Sequence, residues 1–158
     1  MSEKQSILRE GQKTLLERFA VHQELSGLQP AAAKVMALLM ISDNTQLSFD
    51  TIRETLGISK SATSQAINNL LVLKKIEYVT HIGERKRLFQ ARIGNIKEDI
   101  EAISGTLAAA AVFYQDILKQ RPDSSKDYNA KFKNMIEFQL FIAEELPRLA
   151  ERFHARKT

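Results

Sequence analysis

The segment that decides the fold runs from Leu47 to Ile93 and reads LSFDTIRETLGISKSATSQAINNLLVLKKIEYVTHIGERKRLFQARI. Its first part has the spacing of a short helix and stops at Gly57, because glycine accepts the left-handed conformation that often closes a helix. A second helical segment opens at Ser59. Two strand-like runs follow, separated by a basic tip. The segments before and after this order of helix, turn, helix and hairpin are interpreted by how they support it.

A tight turn joins the two predicted helices. Ser48 or Asp50 is expected to cap the first helix, since both side chains accept hydrogen bonds from the free amides of a first turn. Ser59 is expected to cap the second helix in the same way, with Ile58 filling the turn. Two helices joined by so short a turn, and followed by a hairpin, predict a winged helix-turn-helix.

The second helix of this unit has two unlike faces. Thr63, Ile67 and Leu70 recur at the spacing of an inward stripe. The opposite face carries small and amide side chains where Glu and Lys are the usual helix formers. Such side chains contact phosphates or base edges, and Asn and Gln suit adenine; a plain neutral surface is the alternative. The candidate DNA-binding residues here are Ser59, Lys60, Ser61, Ala62, Ser64, Gln65, Asn68 and Asn69.

The hairpin adds a compact group of cations. Residues 76–82 and 87–93 are rich in β-branched and aromatic types, which predicts two strands. Arg85, Lys86 and Arg87 lie at the tip and suit a phosphate backbone or a minor groove. Charges that protect a strand edge from aggregation are the alternative. Residues 59–93 hold seven Lys or Arg against two Glu, so the net +4 of the chain is concentrated in this unit.

Two helices are predicted before this unit. Residues 6–25 have helical spacing, with Leu8, Leu15 and Phe19 on the inward face. Gly27 separates this helix from a second one that Pro30 opens, since proline is tolerated in a first turn. The second helix, through Ile41, is apolar on nearly every side and is therefore expected to be buried on most faces.

Two long helices are predicted after the unit. Asn95 begins one whose apolar residues alternate by four and three, as in a coiled-coil seam. The last helix starts near Lys126, and Pro147 is expected to kink it near Ala143, because proline cannot donate to that carbonyl. The seam of the first of these helices begins with Ile96, Ile100, Ile103 and Leu107.

The predicted fold is mainly α with a small β-hairpin wing. Residues 1–29 are expected to form an N-terminal dimerisation helix, residues 30–93 a winged helix-turn-helix DNA-binding domain, and residues 94–158 a C-terminal helical dimerisation region. Two long apolar-striped helices cannot be covered by the small winged unit alone. They are expected to pack on each other, on the first helix and on a second subunit, which makes the chain a homodimer.

The composition is that of an ordinary globular protein of 158 residues, with 44% hydrophobic and 27% charged residues. Without Cys there can be no disulfide or thiolate metal site, which suits a reducing cytosol. The N-terminus has no apolar core of a signal peptide, and the longest apolar runs are too short to span a membrane. A cytoplasmic location is expected, with no membrane partner.

Enzymatic chemistry is not expected. His22, His81 and His154 lie far apart and show no metal-ligand spacing. No Gly-rich phosphate loop or nucleophile elbow occurs, and the pairs Glu98-Asp99 and Glu144-Glu145 are typical of helix surfaces. Neither a metal nor a cofactor is therefore predicted.

The two C-terminal helices carry aromatic residues at helical spacing. One interpretation is a pocket for a cationic small-molecule effector, since aromatic faces attract cations. A packed core is the more common use of such spacing, so no effector-binding residue is assigned. The residues concerned are Phe113, Tyr114, Tyr128, Phe132, Phe138 and Phe141.

Four short motifs point to a known family: Gly27-Leu28-x-Pro30, Leu47-Ser48-Phe49-Asp50-x-Ile52, Leu56-Gly57-Ile58-Ser59-Lys60, and Gly83-Glu84-Arg85-Lys86-Arg87. Through them, residues 27–89 resemble the MarR-type winged-helix regulators, and most of all the branch that includes the GbsR-like repressors. The resemblance implies a homodimeric transcription regulator, a repressor, with the helix from Ser59 in a major groove and the wing at the neighbouring minor groove. Two such helices would read a near-palindromic operator.

A winged helix that serves only protein–protein contacts is the second hypothesis. In that case the basic wing docks an acidic partner and there is no direct DNA readout. Salt dependence distinguishes the two hypotheses, because phosphate contacts release counterions and give a steep salt slope.

Overall fold

The computed structural model describes residues 7–80 and 86–156. In these ranges the helices are α1 (Glu10–Leu25), α2 (Pro30–Ile41), α3 (Phe49–Leu56), α4 (Lys60–Val72), α5 (Ile96–Gln120) and α6 (Lys126–Ala155). The strands are β1 (Leu47–Ser48), β2 (Ile76–Val79) and β3 (Leu88–Ala91). The predicted fold class, mainly helical with a small β-sheet, is confirmed. Two compact units make up the chain, Met1–Arg92 and Ile93–Thr158.

Helix α2 lies at the centre of the first unit. Its residues from Ala32 to Leu39 are buried except for the half-buried Lys34, as the apolar sequence predicts. Helices α1 and α4 and strand β3 pack against it. Leu38 of α2, Ile52 of α3 and Leu70 of α4 are fully buried in the same core. This core fixes α3 and α4 relative to α2.

The sheet is antiparallel, with β3 between β1 and β2. Strand β1 was not predicted, because its two residues are too few to give a strand pattern. Strands β2 and β3 are shorter than the predicted ranges 76–82 and 87–93. The last paired residues of β2 and β3 at this end are Ile76 and Ala91, and the Arg92 amide donates to the carbonyl of Lys75, in the turn that follows α4, at 3.0 Å. Residues 81–85 of the predicted hairpin lie outside the described residues.

The inward face of α1 differs from the prediction. Leu16 and Ala20 are buried, whereas Leu15 is exposed and Phe19 is only partly buried. Positions 15 and 16 are both apolar, and so are positions 19 and 20. The spacing alone therefore allows either the first or the second residue of each pair to face inward. The methyl group of Ala20 allows α1 to approach α2 closely, which favours the observed face.

The second unit is a helical hairpin formed by α5 and α6, hereafter the hairpin. The predicted seam of α5 is partly wrong: Ile100 and Leu107 are half-buried, but Ile96 and Ile103 are exposed. Helices α5 and α6 pack against each other, so that one stripe of each helix is covered within this unit. The buried residues of this stripe are Ala111, Ile136, Ala143 and Ala150.

Helix α6 continues through Pro147 from Lys126 to Ala155. The carbonyl of Ala143 lacks a helical donor, because Pro147 has no amide hydrogen. The Ser104 hydroxyl of α5 donates to that carbonyl at 2.5 Å. One turn earlier, the Oε1 atom of Gln139 is buried and has no hydrogen-bond partner within the described residues. A polar layer therefore crosses the apolar interface of the hairpin.

Candidate nucleic-acid interface

The turn between α3 and α4 has the predicted chemistry. The Ser48 hydroxyl accepts from the Thr51 amide at 3.1 Å and caps α3, so Ser48 and not Asp50 is the cap. Gly57 ends α3 with a φ of 62°, a conformation that glycine adopts without strain. The Ser59 hydroxyl accepts from the Ala62 amide at 3.1 Å and caps α4. These local bonds set the angle at which α4 leaves the turn.

The two faces of α4 are as predicted. Thr63, Ile67 and Leu70 are buried together with Ala66, and the Thr63 hydroxyl donates to the Ser59 carbonyl at 2.9 Å. The opposite face is exposed, apart from the half-buried Ala62. From Ser61 to Asn69 it carries no charged side chain, so it presents hydroxyl and amide groups only. Its exposed members are Ser59, Lys60, Ser61, Ser64, Gln65, Asn68 and Asn69.

Two lysines follow α4 at its carboxyl end. Lys74 has a φ of 53°, the one positive value at a non-glycine residue in the described chain. The Lys74 amide donates to the Leu71 carbonyl and the Lys75 amide to the Leu70 carbonyl, which closes the helix in a Schellman motif. Both lysine side chains are exposed. They place positive charge where the helix dipole is negative, which stabilises this end.

The cations of the wing are partly within the described residues. Lys86 and Arg87 are exposed, and Arg85 lies outside the described ranges. The guanidinium carbon of Arg87 lies 5.5 Å from the centre of the Tyr78 ring, a cation–π contact. Tyr78 pairs with Phe89 across the sheet, and Arg87 is two residues from Phe89, so both side chains extend from one sheet face.

The carboxylate of β2 lies on the other face of the sheet. Glu77 precedes Tyr78 in the strand and therefore points to the opposite side. Gln90 donates to the Glu77 carboxylate at 2.6 Å and accepts from Gln46 at 3.1 Å. Glu77 therefore pairs with Gln90 on the sheet face opposite to the one that carries Arg87.

Two residues of this region escape sequence reasoning. Tyr78 is recognisable only as a strand residue, and its contact with Arg87 depends on the strand register. Gln29 precedes Pro30 and lines a groove of about 360 Å³ together with Gln65 and Asn69 of α4. The polar residue before a first-turn proline is a signal for a helix start, but nothing local connects it to α4.

The described part of the chain contains no cluster of three or more His, Asp or Glu that could hold a metal ion. His81 lies outside the described residues. Glu144 and Glu145 each contact the Arg148 guanidinium at 2.5 Å, as expected of a helix surface. These two carboxylates raise the pKa of Arg148.

The aromatic residues of the hairpin separate into two sets. Tyr114 and Tyr128 each contact the Phe132 ring, with centroid distances of 5.7 and 6.2 Å. The Arg121 guanidinium lies 4.2 Å from the centre of the Tyr128 ring, and its Nε donates to Asn129 at 2.7 Å. This set fixes the turn between the helices. The second set is exposed on the outside of the hairpin and consists of Phe113, Phe138 and Phe141.

None of the described helices combines the length and hydropathy needed to cross a bilayer.

Comparison with known proteins identifies the fold. No protein-family model matches the chain, and no curated protein matches it. A crystal structure of a transcriptional regulator is similar to it, with a TM-score of 0.74 and 18% sequence identity, over 92% of this chain and 99% of that chain. At this identity the likeness shows a shared fold.

Proposed function

We propose that the chain is a transcription regulator that binds double-stranded DNA in a sequence-specific manner. The observation that carries the proposal is the outward face of α4, which is exposed and free of charged side chains from Ser61 to Asn69. Helix α4 enters the major groove, where hydroxyl and amide groups meet base edges. The fold shared with a transcriptional regulator supports this assignment.

The cations around α4 supply contacts to phosphates. Lys60 is exposed at the start of α4, Lys74 and Lys75 at its end, and Lys86 and Arg87 in the wing. Contacts of this kind position a protein on the duplex and dominate its salt-dependent affinity. Arg85 belongs to the same proposal on the strength of its position in the sequence. The wing contacts the backbone or the minor groove next to α4.

The regulator acts as a homodimer and as a repressor of the MarR type, with residues 30–93 as the DNA-binding part and residues 1–29 and 94–158 as the dimerisation parts. Support comes from the outside of the hairpin, where Phe113 is 72% and Phe138 is 62% exposed. Patches of this kind mark interaction sites. Two copies of α4 about 34 Å apart would read a near-palindrome. A single chain per particle in sedimentation at micromolar concentration would contradict the dimer.

The wing is tested by removing two of its charges. The variant Lys86→Ala/Arg87→Ala is expected to bind every duplex more weakly and to flatten the salt slope by about 2, since each lost phosphate contact removes roughly one unit. Lys126→Ala/Lys131→Ala removes the same charge from exposed positions of α6 and serves as the control. Fluorescence anisotropy with a labelled random duplex at several salt concentrations measures the affinity and the salt slope of the two variants.

A winged helix without direct DNA readout is the competing function. Absence of duplex binding by the wild-type chain at low salt would favour it and would refute the DNA-binding proposal. Equal salt slopes for the wing variant and its control would remove the wing from the proposed interface. No effector site is assigned among the described residues.

A further inference from the structure

A groove runs between the start of α2 and the side of α4 that faces it. Gln29, Gln65 and Asn69 line this groove and are all exposed. None of the three side chains has a hydrogen-bond partner among the residues that the structure describes. Each amide offers two N–H donors and a carbonyl acceptor. Three free amides therefore face one opening of about 360 Å³.

The rest of the groove is small and uncharged. Its other lining residues are Pro30 and the alanines at 31, 32, 62 and 66, so every lining residue within the described chain is neutral. Methyl groups allow a partner to come close to both helices, and no carboxylate repels an anion. The groove thus suits an extended strand whose anionic oxygens accept hydrogen bonds from amide donors and whose sugar rings pack on methyl groups.

The groove divides the outward face of α4 into two sides. Ala62, Gln65 and Asn69 recur at a spacing of three and four residues and lie on the side that faces α2. Ser61, Ser64 and Asn68 are exposed but do not line the groove. The neighbours Asn68 and Asn69 therefore carry the same side chain on different sides of one helix.

We propose that this groove receives the sugar–phosphate backbone of one DNA strand, and that Gln29, Gln65 and Asn69 donate to its phosphate oxygens. The inference rests on the proposed DNA-binding function and deepens it. It extends the interface from α4 to the start of α2. It also moves Gln65 and Asn69 from base recognition to backbone contact, and leaves base edges to Ser61, Ser64 and Asn68.

The two neighbouring asparagines provide the first test. Asn68→Ala and Asn69→Ala are compared on a duplex that the wild-type chain selects from a random pool and on a scrambled duplex. Asn69→Ala is expected to weaken both complexes by the same factor, because backbone contacts carry no sequence information. Asn68→Ala is expected to weaken the selected duplex by about tenfold more than the scrambled one. Alanine is the better helix former, and both positions are exposed, so both variants fold.

A charge at Gln29 provides the second test. Gln29→Lys places a cation at the groove and is expected to steepen the salt slope by about 0.9, the contribution of one phosphate contact. Gln29 makes no side-chain cap for α2, so its replacement removes no hydrogen bond of the helix. Gln120→Lys adds the same charge at the exposed end of α5 and is expected to leave the slope unchanged.

Each remaining outcome counts against a specific claim. A sequence-dependent loss for Asn69→Ala, or a salt slope for Gln29→Lys equal to that of Gln120→Lys, overturns the groove proposal while DNA binding by the wild-type chain stands. A wild-type chain that binds no duplex at low salt removes the proposed function, and the groove proposal falls with it.

Discussion

The unit of residues 1–92 and the hairpin of residues 93–158 differ in what they bury. In the first unit Leu38, Ile52 and Leu70 are fully buried around the central helix α2. In the hairpin the buried side chains of the described residues are three alanines and Ile136, while Phe113 and Phe138 remain largely exposed. The first unit supplies its own core, whereas the hairpin leaves large apolar side chains exposed, and exposed apolar patches of this kind often mark interaction sites.

Because of this difference, we expect the first unit to determine the stability of the single chain and the hairpin to determine its self-association. Large side chains in a closed core contribute to the folding of one chain at any concentration. Large side chains on an uncovered helix face contribute only when a partner arrives, so their effect depends on protein concentration. Substitutions of the same chemical kind in the two regions should therefore have different consequences.

The largest effect is expected from Ile52→Ala. Ile52 is fully buried, and such truncations cost about 2–5 kcal/mol through lost burial and the cavity left behind. Ile117→Ala makes the same change at a side chain of α5 that is 49% exposed. It is expected to cost little at high dilution and to weaken self-association instead. Chemical unfolding at two protein concentrations measures the stability of each variant, and sedimentation measures its self-association. A loss of stability for Ile117→Ala at high dilution as large as that for Ile52→Ala would contradict the assignment of Ile117 to assembly.

An intermediate effect is expected at the polar layer of the hairpin. Ser104→Ala leaves the Ala143 carbonyl without its donor, which should lower the free energy of unfolding by about 1–3 kcal/mol. Pro147→Ala restores an amide hydrogen that can serve the same carbonyl. In that background the cost of Ser104→Ala should fall to near zero, which a double-mutant cycle detects. Additive losses would mean that the bond between Ser104 and Ala143 does not compensate for Pro147.

A matched control is available on the same helix as Ser104. The Thr106 hydroxyl donates to the Ala102 carbonyl of its own helix, and Thr106 is exposed. Thr106→Ala removes a hydroxyl without uncovering a carbonyl that lacks a helical donor. Its cost should be small and independent of the residue at position 147.

Much of this fold can be predicted from local chemistry. The caps at Ser48 and Ser59, the stop at Gly57 and the start of α2 at Pro30 all act on backbone atoms within one helical turn. The outward face of α4 follows in the same way, because its spacing is that of a single helix. Signals of this kind are complete within a few residues of sequence.

Features that depend on distant segments cannot be predicted in this way. The choice of Leu16 over Leu15 as the inward residue of α1 depends on the surface of α2. Pairing of β1 with β3 joins Leu47 to Phe89, which are far apart in sequence, and the contact of Arg87 with Tyr78 depends on the register between β2 and β3. The groove beside α4 needs Gln29, which only tertiary packing brings next to Asn69.

The smallest effect is expected at the helix caps, where the two regions again differ. The Ser59 hydroxyl caps α4, and Ser59→Ala should lower stability by about 1 kcal/mol because an amide of the first turn loses its partner. Ser125 precedes α6 in the corresponding position, but its side chain makes no cap hydrogen bond. Ser125→Ala should therefore change stability by only a few tenths of a kcal/mol. Thermal unfolding of the two variants decides this, and an equal loss at both positions would show that Ser125 caps α6 in solution. In that case both regions would have helices capped by a serine side chain. The two regions would then differ only in how far their large apolar side chains are buried.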